Sequence, residues 1–141
     1  MTLKLIKQQA LFFDAEYLAE GGIGKAYKDL LPELKKFVPV PEKVIENREG
    51  GGYSVTCGKV SCIISTANDN EYEWEKATVA LFSIVNEQLK ATNHRFFALQ
   101  GGNDLMGVFL SLEDAEAAKT AIRKKDDRPY LAEEELRQFL S

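Results

Sequence analysis

The stretch that most constrains this chain spans residues 70–111, where a long apolar segment is followed by two runs of large apolar side chains around Gly101-Gly102-Asn103-Asp104. Trp74, Ala77, Leu81, Ile84, Val85 and Leu89 recur at helical spacing, with Glu73, Lys76, Glu87 and Lys90 largely opposite. That spacing predicts an amphipathic helix. Val79, Ala80 and Phe82 widen its apolar face beyond the stripe of a surface helix, so more than one element is expected to pack on it, a sheet among them. Asn70 with Glu73 three residues later predicts a reciprocal cap at the start, and Asn93 a left-handed cap at the end.

After the helix, residues 95–100 and 105–110 are apolar on both alternating faces, which places the strands they form in the interior of a sheet. The Gly-Gly-Asn-Asp segment between them has hairpin chemistry, and Gly107 marks a bulge or a close approach by another group. A second hairpin is read over residues 53–57 and 60–66, around Gly58-Lys59. With a two-residue turn, Cys57 faces Val60 and Cys62 faces Val55, so the sulfurs are diagonal neighbours and are expected as buried, reduced thiols.

Ala26, Tyr27, Leu30, Leu31, Leu34, Phe37 and Val38 predict another amphipathic helix, with Pro32 as a kink or restart and Pro39 with Pro41 as its end. Residues 42–49 suit a strand, and the first thirteen residues one or two short strands. Ser111 with Asp114 opens a helix carrying Ala115, Ala118 and Ile122, and residues 132–140 a terminal helix with Leu136, Phe139 and Leu140 inward. The sum is a single α+β domain over residues 1–141: an antiparallel sheet of five or six strands with helices mainly on one face, in helix-hairpin-helix-hairpin-helix order.

A chain of 141 residues with 45% hydrophobic side chains can bury a core without a metal or a disulfide. No apolar stretch approaches the roughly 20 residues needed to span a bilayer, and the start has no signal-peptide pattern, so no membrane and a cytoplasmic location are expected. A net charge of −4 argues against a nucleic-acid partner.

Catalytic signals are sparse. Gly21-Gly22-Ile23-Gly24-Lys25 invites a phosphate-loop reading, but Ala19 and Ala26 stand where Gly and Ser or Thr are needed, so a plain turn is expected. The single His94 with Cys57 and Cys62 supplies three zinc ligands at most, with no preset approach; no metal, cofactor or catalytic set is assigned. Two features read as binding elements instead. Tyr72 and Trp74 interleave with Glu71, Glu73 and Glu75, aromatic anchors in an acidic surround suited to a basic protein partner. Asn103 and Asp104 are polar groups on a hairpin built over a hydrophobic scaffold.

At Trp74, Arg95-Phe96-Phe97-Ala98-Leu99, Gly101-Gly102-Asn103-Asp104-Leu105 and Phe109-Leu110 the chain resembles small immunity proteins of bacterial polymorphic-toxin systems, over about its second half. The resemblance implies a cytoplasmic, non-enzymatic inhibitor that binds a cognate toxin domain and blocks it. Two other readings stand beside it: a small-molecule-binding domain or unrecognised hydrolase with a pocket near Asp104 and His94, and a self-associating secretion chaperone.

Overall fold

The computed structural model describes residues 2–139. The elements run α1 (Leu3–Gln9), β1 (Leu11–Phe12), α2 (Ala15–Tyr17), α3 (Ile23–Leu34), β2 (Val44–Asn47), β3 (Tyr53–Cys57), β4 (Val60–Ser65), α4 (Glu73–Leu89), β5 (His94–Leu99), β6 (Met106–Ser111), α5 (Leu112–Ala121) and α6 (Ala132–Glu135). The fold is α+β, but the strands form two three-stranded antiparallel sheets, β1-β6-β5 and β2-β3-β4, and not one sheet of five or six. The single-sheet expectation fails because each hairpin takes its third strand from upstream: β1 joins β6 through Leu11↔Gly107, and β2 joins β3 through Ile45↔Thr56.

Between the sheets runs α4, which touches β4, β5, α3, α2 and α6. Its residues Ala77, Ala80, Leu81, Phe82, Ile84, Val85 and Leu89 are at most 1% exposed, so helix and sheets share one core. Each large side chain so buried contributes about 1.5–3 kcal/mol, which explains an apolar face too wide for a surface helix. The first sheet is covered on both faces. Phe96, Ala98 and Phe109 meet α4, while Phe97, Leu99, Val108 and Leu110 meet Ile6 of α1 and Ala115 and Ala118 of α5. Helices therefore flank this sheet on both sides, a correction to the one-face arrangement. In the second sheet Tyr53, Val55, Cys57 and Ile64 face the core, and the outer face carries Ile45 and Ile63, two-thirds exposed.

The β3–β4 register pairs Cys57 with Val60 and Val55 with Cys62, and both thiols are free. Gly107 sits in an unbroken β5–β6 ladder, so close approach and not a bulge explains it: a Cβ there would overlap the Phe96 ring and stand 3.0 Å from that of Phe13. The edge of β5 is finished by side chains. Asn86 Oδ1 accepts from Phe96 N (2.7 Å) and its Nδ2 donates to Phe96 O (3.0 Å), while Ala98 exchanges main-chain bonds with Tyr130. β5 is thus an edge strand whose second side is closed locally, not the interior strand that its two apolar faces predicted.

Helix ends differ from expectation. Tyr72, in left-handed backbone at φ 57°, and not Asn70, caps the start of α4. Its end is closed by Arg95, whose guanidinium donates to the carbonyls of Leu89, Lys90, Thr92 and His94, so no left-handed Asn93 is required. At the other end of the chain, Thr2 Oγ1 accepts from Leu5 N (3.2 Å) and starts a helix where short strands were expected; only Leu11–Phe12 is extended. Ser111 does cap α5, accepting from Asp114 N at 3.0 Å. The terminal helix is short, giving way to a 3-10 turn at Arg137–Phe139, and the inward placement expected of Leu140 lies outside the described residues.

Candidate acidic and aromatic surface

The glycine segment near residue 21 is neither a loop nor an open anion site. Leu18–Gly22 forms a wide helical turn that runs into α3, with Gly21 at φ 113°. The helix start is already filled by a carboxylate: Glu46 Oε2 accepts from Gly24 N (3.3 Å) and from the Tyr53 hydroxyl (2.5 Å), which in turn accepts from Ile23 N. Arg48 ties the same carboxylate at 3.0 Å and reaches Gly21 O. An internal Glu supplies the charge that a phosphate would bring.

Nucleophilic chemistry finds no support either. Burial pushes the thiols of Cys57 and Cys62 above their ordinary range, away from the reactive thiolate form. His94 opens β5 and stacks on Phe37 with ring centres 4.3 Å apart. It stands at the opposite end of that strand from the Asp104 loop, five strand steps or roughly 17 Å away, so these two residues do not share a pocket. An open cavity of ≈ 580 Å³ borders Gly101 at the start of the Asp104 loop, away from His94, and is lined by Gln100, Lys119, Arg128, Tyr130, Glu135 and Leu136 among others. Three of its polar residues are engaged inside the protein: Arg128 donates to Ile122 O, Gln100 to Asp127, and the Tyr130 hydroxyl to Gln100 O. Among the described residues, no three His, Cys, Asp or Glu side chains group as metal ligands.

The two binding features read from the sequence meet at one end of the molecule. Tyr72 is half-exposed and packs on Phe139 with ring centres 5.0 Å apart, while Trp74 is half-buried against the core. The Trp74 ring lies 3.9 Å from the place a Cβ on Gly102 would occupy, which brings the start of α4 against the loop holding Asn103 and Asp104. That loop is a 3-10 turn, Gly102–Asp104, closed by Asp104 N donating to Gly101 O. Glu71 is exposed on the approach to α4, and Glu73 and Glu75 are half-buried in its first turn, where the helix dipole favours acids.

A third segment joins them that the sequence reading passed over. Asn103 Nδ2 donates to Asp14 Oδ1 (3.0 Å) and to Glu16 Oε1 (3.2 Å), so one amide gathers two carboxylates from the segment around α2. Next to them Tyr17 is 48% exposed. The signal was available: Asp14-Ala15-Glu16-Tyr17 has acids at alternate positions followed by an aromatic, as Glu71-Tyr72-Glu73-Trp74 has with a second aromatic between its acids. None of Asp14, Glu16, Glu71, Glu73, Glu75 or Asp104 is in a salt bridge among the described residues, whose ion pairs lie elsewhere. Backbone strain concentrates here as well. Tyr72 (φ 57°) and Gln100 (φ 59°) are the described non-glycine residues with positive φ, and they introduce the Trp74 turn and the Gly101 loop. Such conformations cost about 1–3 kcal/mol and gather at binding sites. No family model, curated protein or solved structure matches the chain.

Proposed function

We infer that this protein is a non-catalytic binding protein whose acidic and aromatic end engages a basic protein partner. The supporting observation is the convergence of three chain segments that present Tyr17, Tyr72 and Trp74 among six acids with no ion-pair partner. Unpaired acids create a field that steers a basic partner, and amphipathic aromatics supply the desolvated contact area once it arrives.

The immunity reading is the specific form of this proposal: the partner is a toxin domain and binding blocks it. The test is to sequence the DNA flanking this reading frame and, where a long frame ending in a basic C-terminal domain lies immediately upstream, to co-express that domain with the chain. A one-to-one complex and rescue of growth support the proposal. Metabolic genes in that position, or a toxic domain that the chain neither binds nor neutralises, remove the immunity reading.

A further inference from the structure

A second surface, of opposite charge, lies along β2. This strand pairs with β3 on one side, and no other main-chain or side-chain group bonds to the backbone of Val44, Ile45, Glu46 or Asn47 among the described residues. The contrast with β5 is direct, because there Asn86 and Tyr130 close the second side. An edge strand left open presents unpaired N–H and C=O groups to any extended chain that reaches it.

Beside the open edge, α3 leaves a groove of ≈ 480 Å³ floored by Tyr27, Leu31 and Val44 and rimmed by Lys28, Lys35 and Lys43. Two acids also line it. Glu46 is engaged by Arg48, Tyr53 and Gly24, which leaves Glu42 against three exposed lysines with no ion-pair partner. In a chain of net charge −4 this is a local cationic excess. On the other face of the sheet, Ile45 is 67% exposed at the same edge.

We propose that the β2 edge takes up an extended acidic segment of a partner protein as a fourth strand of the β2-β3-β4 sheet. Main-chain bonds to β2 supply the pairing, and alternation of side chains supplies the selectivity. Residues of the segment that point to the α3 side lie over Lys28, Lys35 and Lys43, which selects Asp and Glu. Residues on the other side lie beside Ile45, which selects apolar side chains. A second copy of this chain is a poor occupant, since antiparallel pairing of two β2 strands brings the lysine rims of both copies together. The two surfaces share no residue, so the two proposals stand or fall independently.

The test is fluorescence polarisation with a labelled, end-blocked octapeptide alternating Val and Glu. Two controls have the same length: one with Lys for every Glu, and one with alternate backbone nitrogens methylated to prevent strand pairing. Saturable binding of the Glu peptide is expected, weakened about tenfold or more in both controls and in the Lys28→Glu, Lys35→Glu, Lys43→Glu variant. The variant's unfolding temperature must match wild type, which is expected for exposed positions. Equal binding of either control, or no binding at millimolar peptide, overturns the proposal. So does a dimer in sedimentation that Ile45→Lys dissolves, because the edge then serves a second copy.

Discussion

Replacing Asn86 with Ala tests how the edge of β5 is held. Asn86 is 7% exposed and makes three bonds: it accepts from Phe96 N at 2.7 Å and donates to Phe96 O at 3.0 Å and to Glu133 Oε2 at 2.8 Å. Phe96 is fully buried, so truncation leaves one N–H and one C=O without partners in the core. Each orphaned group costs about 1–3 kcal/mol, and a water entering the vacated space recovers part of it. The expected loss is about 3 kcal/mol, a large share of the ~5–15 kcal/mol that stabilises a domain of this kind. Urea unfolding followed by the fluorescence of Trp74 measures it, with hydrogen exchange at Phe96 N–H as the local readout. Asn86→Asp keeps the shape but turns a donor into an acceptor facing Phe96 O and Glu133, so it should be worst at neutral pH. A loss under about 1 kcal/mol for Asn86→Ala, with Phe96 N–H still protected, would refute the idea that this amide closes the strand edge.

Three further outcomes follow from the packing and the buried charge. Gly107→Ala places a methyl within 3.0 Å of the Phe96 and Phe13 rings and should destabilise by about 1–3 kcal/mol in the same assay. Arg95→Ala removes the guanidinium from the carbonyls of Lys90 and Thr92 and leaves those of Leu89 and His94 to Thr92 alone; a lowered unfolding midpoint and faster exchange confined to the last turn of α4 are expected. Burial raises the Glu133 carboxyl above its ordinary range, against the smaller opposing effect of the Asn86 bond. The folded state therefore holds this proton more tightly than the unfolded chain does. Its contribution is complete below the ordinary carboxylate range and is lost as pH rises through the folded value. Urea midpoints measured upward from pH 4 should fall less steeply in Glu133→Gln than in wild type.

What the sequence made legible was local. The α4 periodicity, the Gly58-Lys59 register and the Ser111 cap each depend on residues close in the chain, and each is found. The two-sheet arrangement was not legible, because nothing near Leu11 announces that it pairs with Gly107, and apolar alternation in β5 is the same whether a strand or the side chain of Asn86 lies at its edge. Asn70 and Asn93 had the right chemistry for caps, yet Tyr72 takes the first place by its left-handed backbone alone and Arg95 the second through a long side chain folded back on the helix end. At the candidate surface, Tyr72, Trp74, Asn103 and Asp104 were readable as acidic and aromatic neighbours or as turn polars. That they adjoin one another, and that Asp14 and Glu16 join them through Asn103, depends on contacts across most of the chain.

The most direct test of the acidic surface is the association rate with a basic partner domain recovered by that co-expression, measured by stopped flow across ionic strength for wild type and for Glu71→Lys, Glu73→Lys, Glu75→Lys together. Steering by this surface predicts an on-rate lowered by about tenfold or more at low salt and a flattened salt dependence. An unchanged rate and slope in a complex that still forms would contradict the account and move the partner's footprint elsewhere.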